Sequence, residues 1–252
     1  MQTDLKGKTA IVTGGARDIG RAVSLELARS GAAVVVNYHA SGNRAESLVK
    51  EITAAGGRAV AVQADVTKSS DVDRLLAESR YAFGDRIDVL VNNSGGLIAR
   101  KTIADMDEAF FDSVMDLNFK SVFLVTKATV PFMPESSAIV NLSSLAARDG
   151  GGPGSAIYAA AKGAVLTLTR GLAKELASKK IRVNCVSPGM IDTTFHDTFT
   201  KPEARKATAA RTAVGREGRP QDVANAVVFL ASDASAYLSG ESIEINGGLY
   251  FV

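Results

Sequence analysis

The sequence predicts a doubly wound (Rossmann) α/β fold, a parallel sheet of about seven strands with helices on both faces. Short runs rich in Val, Ile and Ala alternate with longer helical patterns from one end of the chain to the other. Those short runs are mostly continuously apolar rather than alternating, as strands covered on both faces require. Gly31, Gly56, Gly57 and Gly84 fall where helices should stop. Strand and helix in strict turn then demand right-handed crossovers and parallel pairing.

Taken in order, the strands are expected at Thr9–Thr13, Ala33–Asn37, Ala59–Gln63, Val89–Asn92, Ala138–Leu142, Ile181–Val186 and Ser242–Ile245. The helices between them are expected near Ile19–Ser30, Arg44–Ala55, Ser70–Phe83, Phe110–Met133, Tyr158–Ser178 and Asp222–Ala231. No linker, low-complexity tract or repeat divides the chain, so residues 1–252 read as one domain. One segment breaks the rhythm. Residues 191–218 are polar, with charges and Thr but no strand, and a long insertion of this kind reads as a lid or binding loop.

Composition excludes several classes. Lys plus Arg number 29 against 27 Asp plus Glu, a formal net charge of +2, which gives no reason to expect nucleic acid or an anionic membrane as partner. The 46% hydrophobic content is too high for a disordered chain. No apolar stretch approaches the ~20 residues that span a bilayer. The opening MQTDLKGK lacks the apolar core of a secretory signal, and the single cysteine, Cys185, excludes an intrachain disulfide; a cytoplasmic location is expected. Cys185 lies in the apolar run RVNCVSPG and reads as a core thiol. His39 and His196 are far apart in sequence and lack a ligand cluster, so no metal is expected.

In an open parallel sheet, ligands bind outside the carboxyl ends of the strands, so the residues after each strand decide the chemistry. After the first strand comes Thr13-Gly14-Gly15-Ala16-Arg17-Asp18-Ile19-Gly20, opening a helix. Glycine there admits a pyrophosphate close to the backbone, and the helix start offers free N–H groups and a positive dipole end. Such a turn can also be purely structural. Asp65-Val66 follows the third strand and Asn92-Asn93-Ser94-Gly95 the fourth; each could be only a polar turn, but both stand on the same sheet edge.

Tyr158-Ala-Ala-Ala-Lys162 is the sharpest constellation. Residues four apart on a helix share a face, so phenol and ammonium can meet beside one ligand. A free phenol has a pKa of about 10, and a fixed positive charge nearby is expected to make it more acidic. The fifth strand ends Val140-Asn141-Leu142-Ser143-Ser144, delivering a hydroxyl to the same edge. Taken alone, the Tyr–Lys spacing fits any half-buried helix face.

Taken together, these residues resemble the single-domain short-chain dehydrogenases/reductases over essentially the whole chain, with the look of 3-oxoacyl-[acyl-carrier-protein] reductase-like members. Thr13, Gly14 and Gly20 match the family's Thr-Gly-x-x-x-Gly-x-Gly turn, with Asp18 in place of its middle glycine. The resemblance implies NAD(P)(H)-dependent hydride transfer between nicotinamide and a carbonyl or alcohol, with Tyr158 as acid or base and Lys162 beside it. It implies that Ser144, rather than Ser143, holds the substrate oxygen, and that Asn118, in Asp-Leu-Asn-Phe, holds a water linking Lys162 to solvent. Asp65 and Val66 correspond to an adenine contact, and Asn92, Ser94 and Gly95 to the Asn-Asn-Ala-Gly segment. Pro188-Gly189-Met190-Ile191-Asp192-Thr193 corresponds to the loop that orients the nicotinamide, through the Ile191 backbone and the Thr193 hydroxyl.

Two departures carry weight. A carboxylate at Asp18 would repel a pyrophosphate unless Arg17 or Arg21 neutralises it or the side chain points outward. Tyr38 stands at the end of the second strand, where NAD-preferring members carry an acid. With no carboxylate to repel a 2′-phosphate, and Arg17 able to counter it, NADP(H) is favoured over NAD(H). The expected substrate is a small-molecule or carrier-bound carbonyl or alcohol. Reduction of a 3-oxoacyl thioester, oxidation of a polyol, sugar or hydroxysteroid, and a catalytically silent nucleotide sensor all stay open. The apolar ending Leu249–Val252 predicts burial against another subunit, and the resemblance implies a homotetramer.

Overall fold

The computed structural model describes residues 3–252. Seven strands, β1 (Thr9–Val12), β2 (Ala33–Tyr38), β3 (Arg58–Gln63), β4 (Val89–Asn92), β5 (Ala138–Leu142), β6 (Arg182–Pro188) and β7 (Ser242–Ile245), form one sheet in the order β3-β2-β1-β4-β5-β6-β7. Every neighbouring pair is parallel. The chain winds outward from β1 to β3, then returns to place β4 on the other side of β1. The strand order therefore reverses between β1 and β4, and a crevice opens at their carboxyl ends.

The crossovers are α1 (Asp18–Arg29), α2 (Gly42–Ala54), α3 (Ser69–Phe83), α4 (Glu108–Met115) with α5 (Ser121–Thr129), the short α6 (Ala146–Asp149), and α7 (Ala156–Glu175). Helices α8 (Thr194–Phe199) and α9 (Pro202–Arg211) then precede α10 (Pro220–Ala231). Strand side chains point alternately to the two faces. On β1, Ala10 and Val12 join a core with Val23 and Leu27 of α1, Leu48 of α2 and Val227 of α10. Ile11, between them, faces a second core with Leu75 of α3, Val125 of α5 and Leu176 after α7. All three β1 side chains are fully buried, which is why the strand reads as a continuous apolar run. Burial of each large aliphatic side chain stabilises the sheet by roughly 1.5–3 kcal/mol.

Two expectations need correction. The helix expected over Phe110–Met133 is interrupted: α4 and α5 are joined by a π-helical turn, Asp116–Lys120, with Asn118 fully buried in it. An inserted residue widens one turn there, a feature common at functional sites and invisible to a 3.6-residue period. Residues 191–218, read as a polar, strand-free lid or binding loop, contain two helices. Pro202 starts α9, and its Ala, Arg and Lys residues are good helix formers. None of its residues is buried, so it carries no apolar stripe to betray it.

Candidate active site

The turns after β1 and β4 are knitted together by their own polar groups. The Thr13 N–H donates to Val91 O (3.0 Å), and the Asn93 and Ser94 N–H groups donate to Thr13 Oγ1 (2.9 and 3.0 Å). Asn93 Nδ2 donates to Thr13 O (2.8 Å) and Gly14 O (3.1 Å). From the β2 side, Asn37 Oδ1 accepts from the Gly14 N–H (3.1 Å). Gly14 has φ +59°, and a Cβ on Gly20 would collide with Gly14 O and lie 2.6 Å from Asn93 Nδ2. Glycine at Gly20 is thus a condition of the helix packing on the turn. Ile19 packs its side chain partly against the first core.

Sequence reasoning missed Thr13, Asn37 and Asn93 as members of this frame. They lie in strand ends and motif positions that it had quoted, but their partners stand on neighbouring strands.

The remaining expected dinucleotide residues divide. Tyr38 ends β2 half-buried, its ring within van der Waals reach of a Cβ built on Gly42. Asp65 folds into its own turn, accepting from the Thr67 N–H (3.1 Å) and hydroxyl (2.7 Å), with Lys68 Nζ at 3.5 Å. Burial raises its pKa, but the Thr67 hydrogen bonds outweigh that and hold the carboxyl below the usual carboxylate range. Val66 is buried beside it. Asn92 is turned away from the crevice: its amide donates to Thr126 Oγ1 (3.0 Å) and Asn141 Oδ1 (2.8 Å), and only 2% of the residue is exposed. Asn141 in turn donates to Thr169 Oγ1 (2.9 Å), so Asn92 belongs to a buried polar ladder linking α5, β4, β5 and α7.

The expected catalytic residues do converge. Tyr158 is the third residue of α7 and Lys162 lies one turn on, its Nζ 5.9 Å from the phenol ring centroid. Lys162 is 3% exposed and donates to Leu142 O (2.9 Å) at the end of β5. Ser143 is buried and donates to Lys162 O (2.8 Å), which anchors α7 on the sheet. Ser144 is half-buried, and its hydroxyl faces Tyr158. The two adjacent serines thus have separate surroundings, and Ser144 is the one beside the phenol.

Above them the Gly95–Gly96 backbone passes so close that a Cβ on Gly95 would lie 2.8 Å from both Asn118 Oδ1 and Lys162 Nζ. Asn118 clamps this segment from below: Oδ1 accepts from the Gly96 N–H (2.9 Å), and Nδ2 donates to Gly96 O (3.0 Å) and Val114 O (3.0 Å).

The electrostatics correct one expectation. The net shift of the phenol is away from acidity. Burial pushes the Tyr158 pKa up, and the Ser144 hydroxyl opposes that only in part. Burial also lowers Lys162 from 10.5 to about 8, against the pull of the neighbouring Cys185. The Cys185 thiol, fully buried, is pushed up to about 11 by the same desolvation. An ammonium almost 6 Å from the ring centroid does not offset the loss of water around the phenol.

The loop after β6 closes the site. The Leu145 N–H donates to Pro188 O (2.8 Å), tying this loop to the Ser144 turn. A Cβ on Gly189 would lie 2.9 Å from Asn246 Cα, so the two loops touch there. Ile191 is buried and bridges to Gly218, and Thr193 donates to Ile191 O (3.0 Å) at the start of α8. Phe195 of α8 sits with its ring centroid 6.2 Å from that of Tyr158, and Phe199 lies 5.3 Å beyond. Arg205 of α9 ties this segment together, bonding Glu217, Asp192 and Asp197 at 2.6 Å each. Asp18 has Arg17, one of its two expected neutralising partners, beside its carboxylate, which also reaches across to Thr194. Arg21 pairs instead with Glu51 of α2.

Crevice, glycine-rich turn and the Tyr–Lys–Ser–Asn cluster at one sheet edge define a dinucleotide-dependent oxidoreductase class. A family model described as enoyl-(acyl carrier protein) reductase matches residues 14–250. An uncharacterised oxidoreductase of Methylorubrum extorquens is 42% identical over 97% of this chain and 98% of its own length. A 3-oxoacyl-[acyl-carrier-protein] reductase of Staphylococcus aureus is 41% identical over 96% of this chain and 98% of its own. A solved dehydrogenase/reductase of Sinorhizobium meliloti superposes with TM-score 0.94 at 36% identity, covering 99% of this chain and 98% of that one. A short-chain dehydrogenase of Burkholderia cenocepacia, solved with NADP, gives 0.90 at 34% identity over 97% and 98% of the two chains. An NADH-dependent reductase responsible for alginate metabolism gives 0.90 at 38% over 99% and 100%. The chain belongs to the short-chain dehydrogenase/reductase family and is an oxidoreductase. Hydride transfer is the chemistry of that family.

Proposed function

We propose that this protein reduces the carbonyl of a 3-oxoacyl thioester, free or carrier-bound, with NADPH as hydride donor and Tyr158 as proton donor. The observation that carries the reading is the meeting of Tyr158, Ser144 and Lys162 at the carboxyl edge of the sheet, beside the β1–β4 crevice. The bound nicotinamide supplies the hydride. Ser144 donates a hydrogen bond to the carbonyl oxygen as charge develops there, and Tyr158 gives that oxygen its proton. Lys162 stabilises the phenolate left behind, and the Asn118 clamp fixes the Gly95–Gly96 backbone over the ammonium. Phe195 and Phe199 give the lid an apolar underside suited to an acyl chain.

The chain's own residues fit the adenosine end of NADPH. A cavity of about 400 Å³ beside the glycine-rich turn is lined by Ala16, Arg17, Asp18, Arg21, Asn43, Arg44 and Ser47. Arg44 makes no ion pair among the described residues, and no carboxylate ends β2. A 2′-phosphate would find positive charge there and nothing at the strand end to repel it. Ile191 and Thr193 would hold the carboxamide, and residues 191–218 serve as the lid of a single catalytic domain. Exposed Phe111, Phe123, Phe251 and Val252 support assembly into a homotetramer, and a cytoplasmic setting accords with the buried, unpaired Cys185.

The test is turnover across a panel of carbonyl and alcohol substrates with NADPH and NADH, 3-oxoacyl thioesters included. Wild-type turnover of 3-oxoacyl thioesters with NADPH is expected, and Tyr158→Phe should lower it by roughly 10²–10⁴. Turnover of polyols, sugars or steroids alone would redirect the substrate assignment. Dinucleotide binding with no turnover anywhere on the panel would replace the enzyme reading with a sensor.

A further inference from the structure

Asp18 stands where the family's turn has a glycine, and its backbone keeps the glycine conformation, φ +51°. Among side chains that pay a penalty in this region, Asp is one of the least disfavoured, because its short carboxylate can bond locally. Here the carboxylate bonds at long range instead. Oδ1 accepts from the Thr194 N–H (3.2 Å) and Oδ2 from the Thr194 hydroxyl (2.5 Å), across 176 residues of sequence. Arg17 Nη1 completes the cluster, donating to Thr194 Oγ1 (2.8 Å) and lying 3.5 Å from Asp18 Oδ2. A glycine at this position could make none of the Thr194 contacts.

Thr194 is the first residue of α8, the helix that carries Phe195 over the Tyr158 ring. The far end of the same helix is held separately, by Arg100 Nε donating to Phe199 O (3.2 Å) and by Arg205 bonding Asp197. The lid is thus fastened at two ends, and the near fastening lies on the turn where α1 begins. In the dinucleotide reading given above, the cofactor would be held in the β1–β4 crevice beside this fastening.

We propose that Asp18 is a positioning residue that latches the lid onto the glycine-rich turn, so that the dinucleotide leaves only when the Asp18–Thr194 contact opens. This rests on the dinucleotide reading given above. The substitution that looks like a defect at a phosphate site is then a trade. The turn gives up the backbone freedom of glycine and gains a charge-assisted clasp that keeps α8 over the crevice.

The test measures two things on the full-length protein: hydrogen exchange of residues 194–199 without ligand, and the release rate of NADPH followed by its fluorescence. Asp18→Gly and Thr194→Val should each speed exchange of the segment and accelerate release by roughly tenfold, the worth of one charge-assisted hydrogen bond. The double variant should release no faster than either single one, because both remove the same contact. Asp18→Asn and Thr194→Ser keep hydrogen-bonding atoms in place and should hold release within about threefold of wild type.

Unchanged exchange in both Asp18→Gly and Thr194→Val overturns the latch. Tighter NADPH binding in Asp18→Gly and Asp18→Asn alike, with Thr194→Val neutral, overturns it too, and shows the carboxylate to be simple repulsion. If wild type binds neither NADPH nor NADH, the dinucleotide reading and the gating fail together, while the exchange data still report whether the clasp exists.

Discussion

Lys162 is a buried ammonium whose titration bears on stability and, in the proposed mechanism, on rate. Its fall from 10.5 to about 8 means that the folded protein holds this proton less tightly than the unfolded chain. For a base shifted downward, the cost is present in full below the folded pKa, and it is relieved as pH rises from about 8 towards 10.5. At neutral pH the cost is on the order of 3 kcal/mol. Lys162→Met, which keeps the apolar stem and removes the charge, should therefore raise the midpoint of thermal unfolding at pH 7, checked by calorimetry, while abolishing turnover. In the wild type, kcat/KM for carbonyl reduction should fall as pH rises through about 8, as the ammonium beside Tyr158 loses its proton. A flat profile between pH 7 and 9 would remove Lys162 from the mechanism. At the adenosine end, Arg44→Ala should raise the KM for NADPH by roughly tenfold with little change for NADH, if the guanidinium meets a 2′-phosphate.

At the scale of elements, the break between α4 and α5 matters most. A regular helix across residues 108–132 would carry Asn118 past the crevice at a different angle. The π turn lets its amide reach Gly96 from the buried side. Asn118→Ala leaves the Gly96 N–H and C=O without these partners inside the protein. It should cost about 2–4 kcal/mol of stability, measured by denaturant unfolding, and should lower turnover through displacement of the Gly95 backbone above Lys162. Asn118→Asp, which keeps the acceptor but loses the donors, should recover less than half of that stability. The buried ladder Thr126–Asn92–Asn141–Thr169 fixes α5 and α7 against the central strands through side-chain hydrogen bonds, although Asn92 Oδ1 is left without a partner among the described residues.

The whole molecule places the Tyr158 end of α7 and the glycine-rich turn before α1 on one edge because β4 returns to the opposite side of β1. Its outer surface bears exposed rings at Phe111 and Phe123 on the α4–α5 layer, and Phe251 and Val252 at the chain end are 82% and 79% exposed. Light scattering is expected to give the mass of four chains. Phe123→Glu on the helix face should shift that mass downward, whereas a monomeric wild type would overturn the assembly.

The order of strands and helices was legible because apolar runs and glycine stops are local signals, written within a few residues of where they act. The Tyr158–Lys162 pairing was legible for the same reason, since four residues on a helix share a face whatever surrounds them. Local spacing could not say how much water each group keeps, and so the phenol's pKa rises where charge alone predicted a fall. Nor could it turn Asn92 into the core, or give Asp18 a partner 176 residues away. Those were decided by tertiary packing: burial and long-range hydrogen bonds depend on which segments the sheet brings together, and a sequence read in windows contains no such distances.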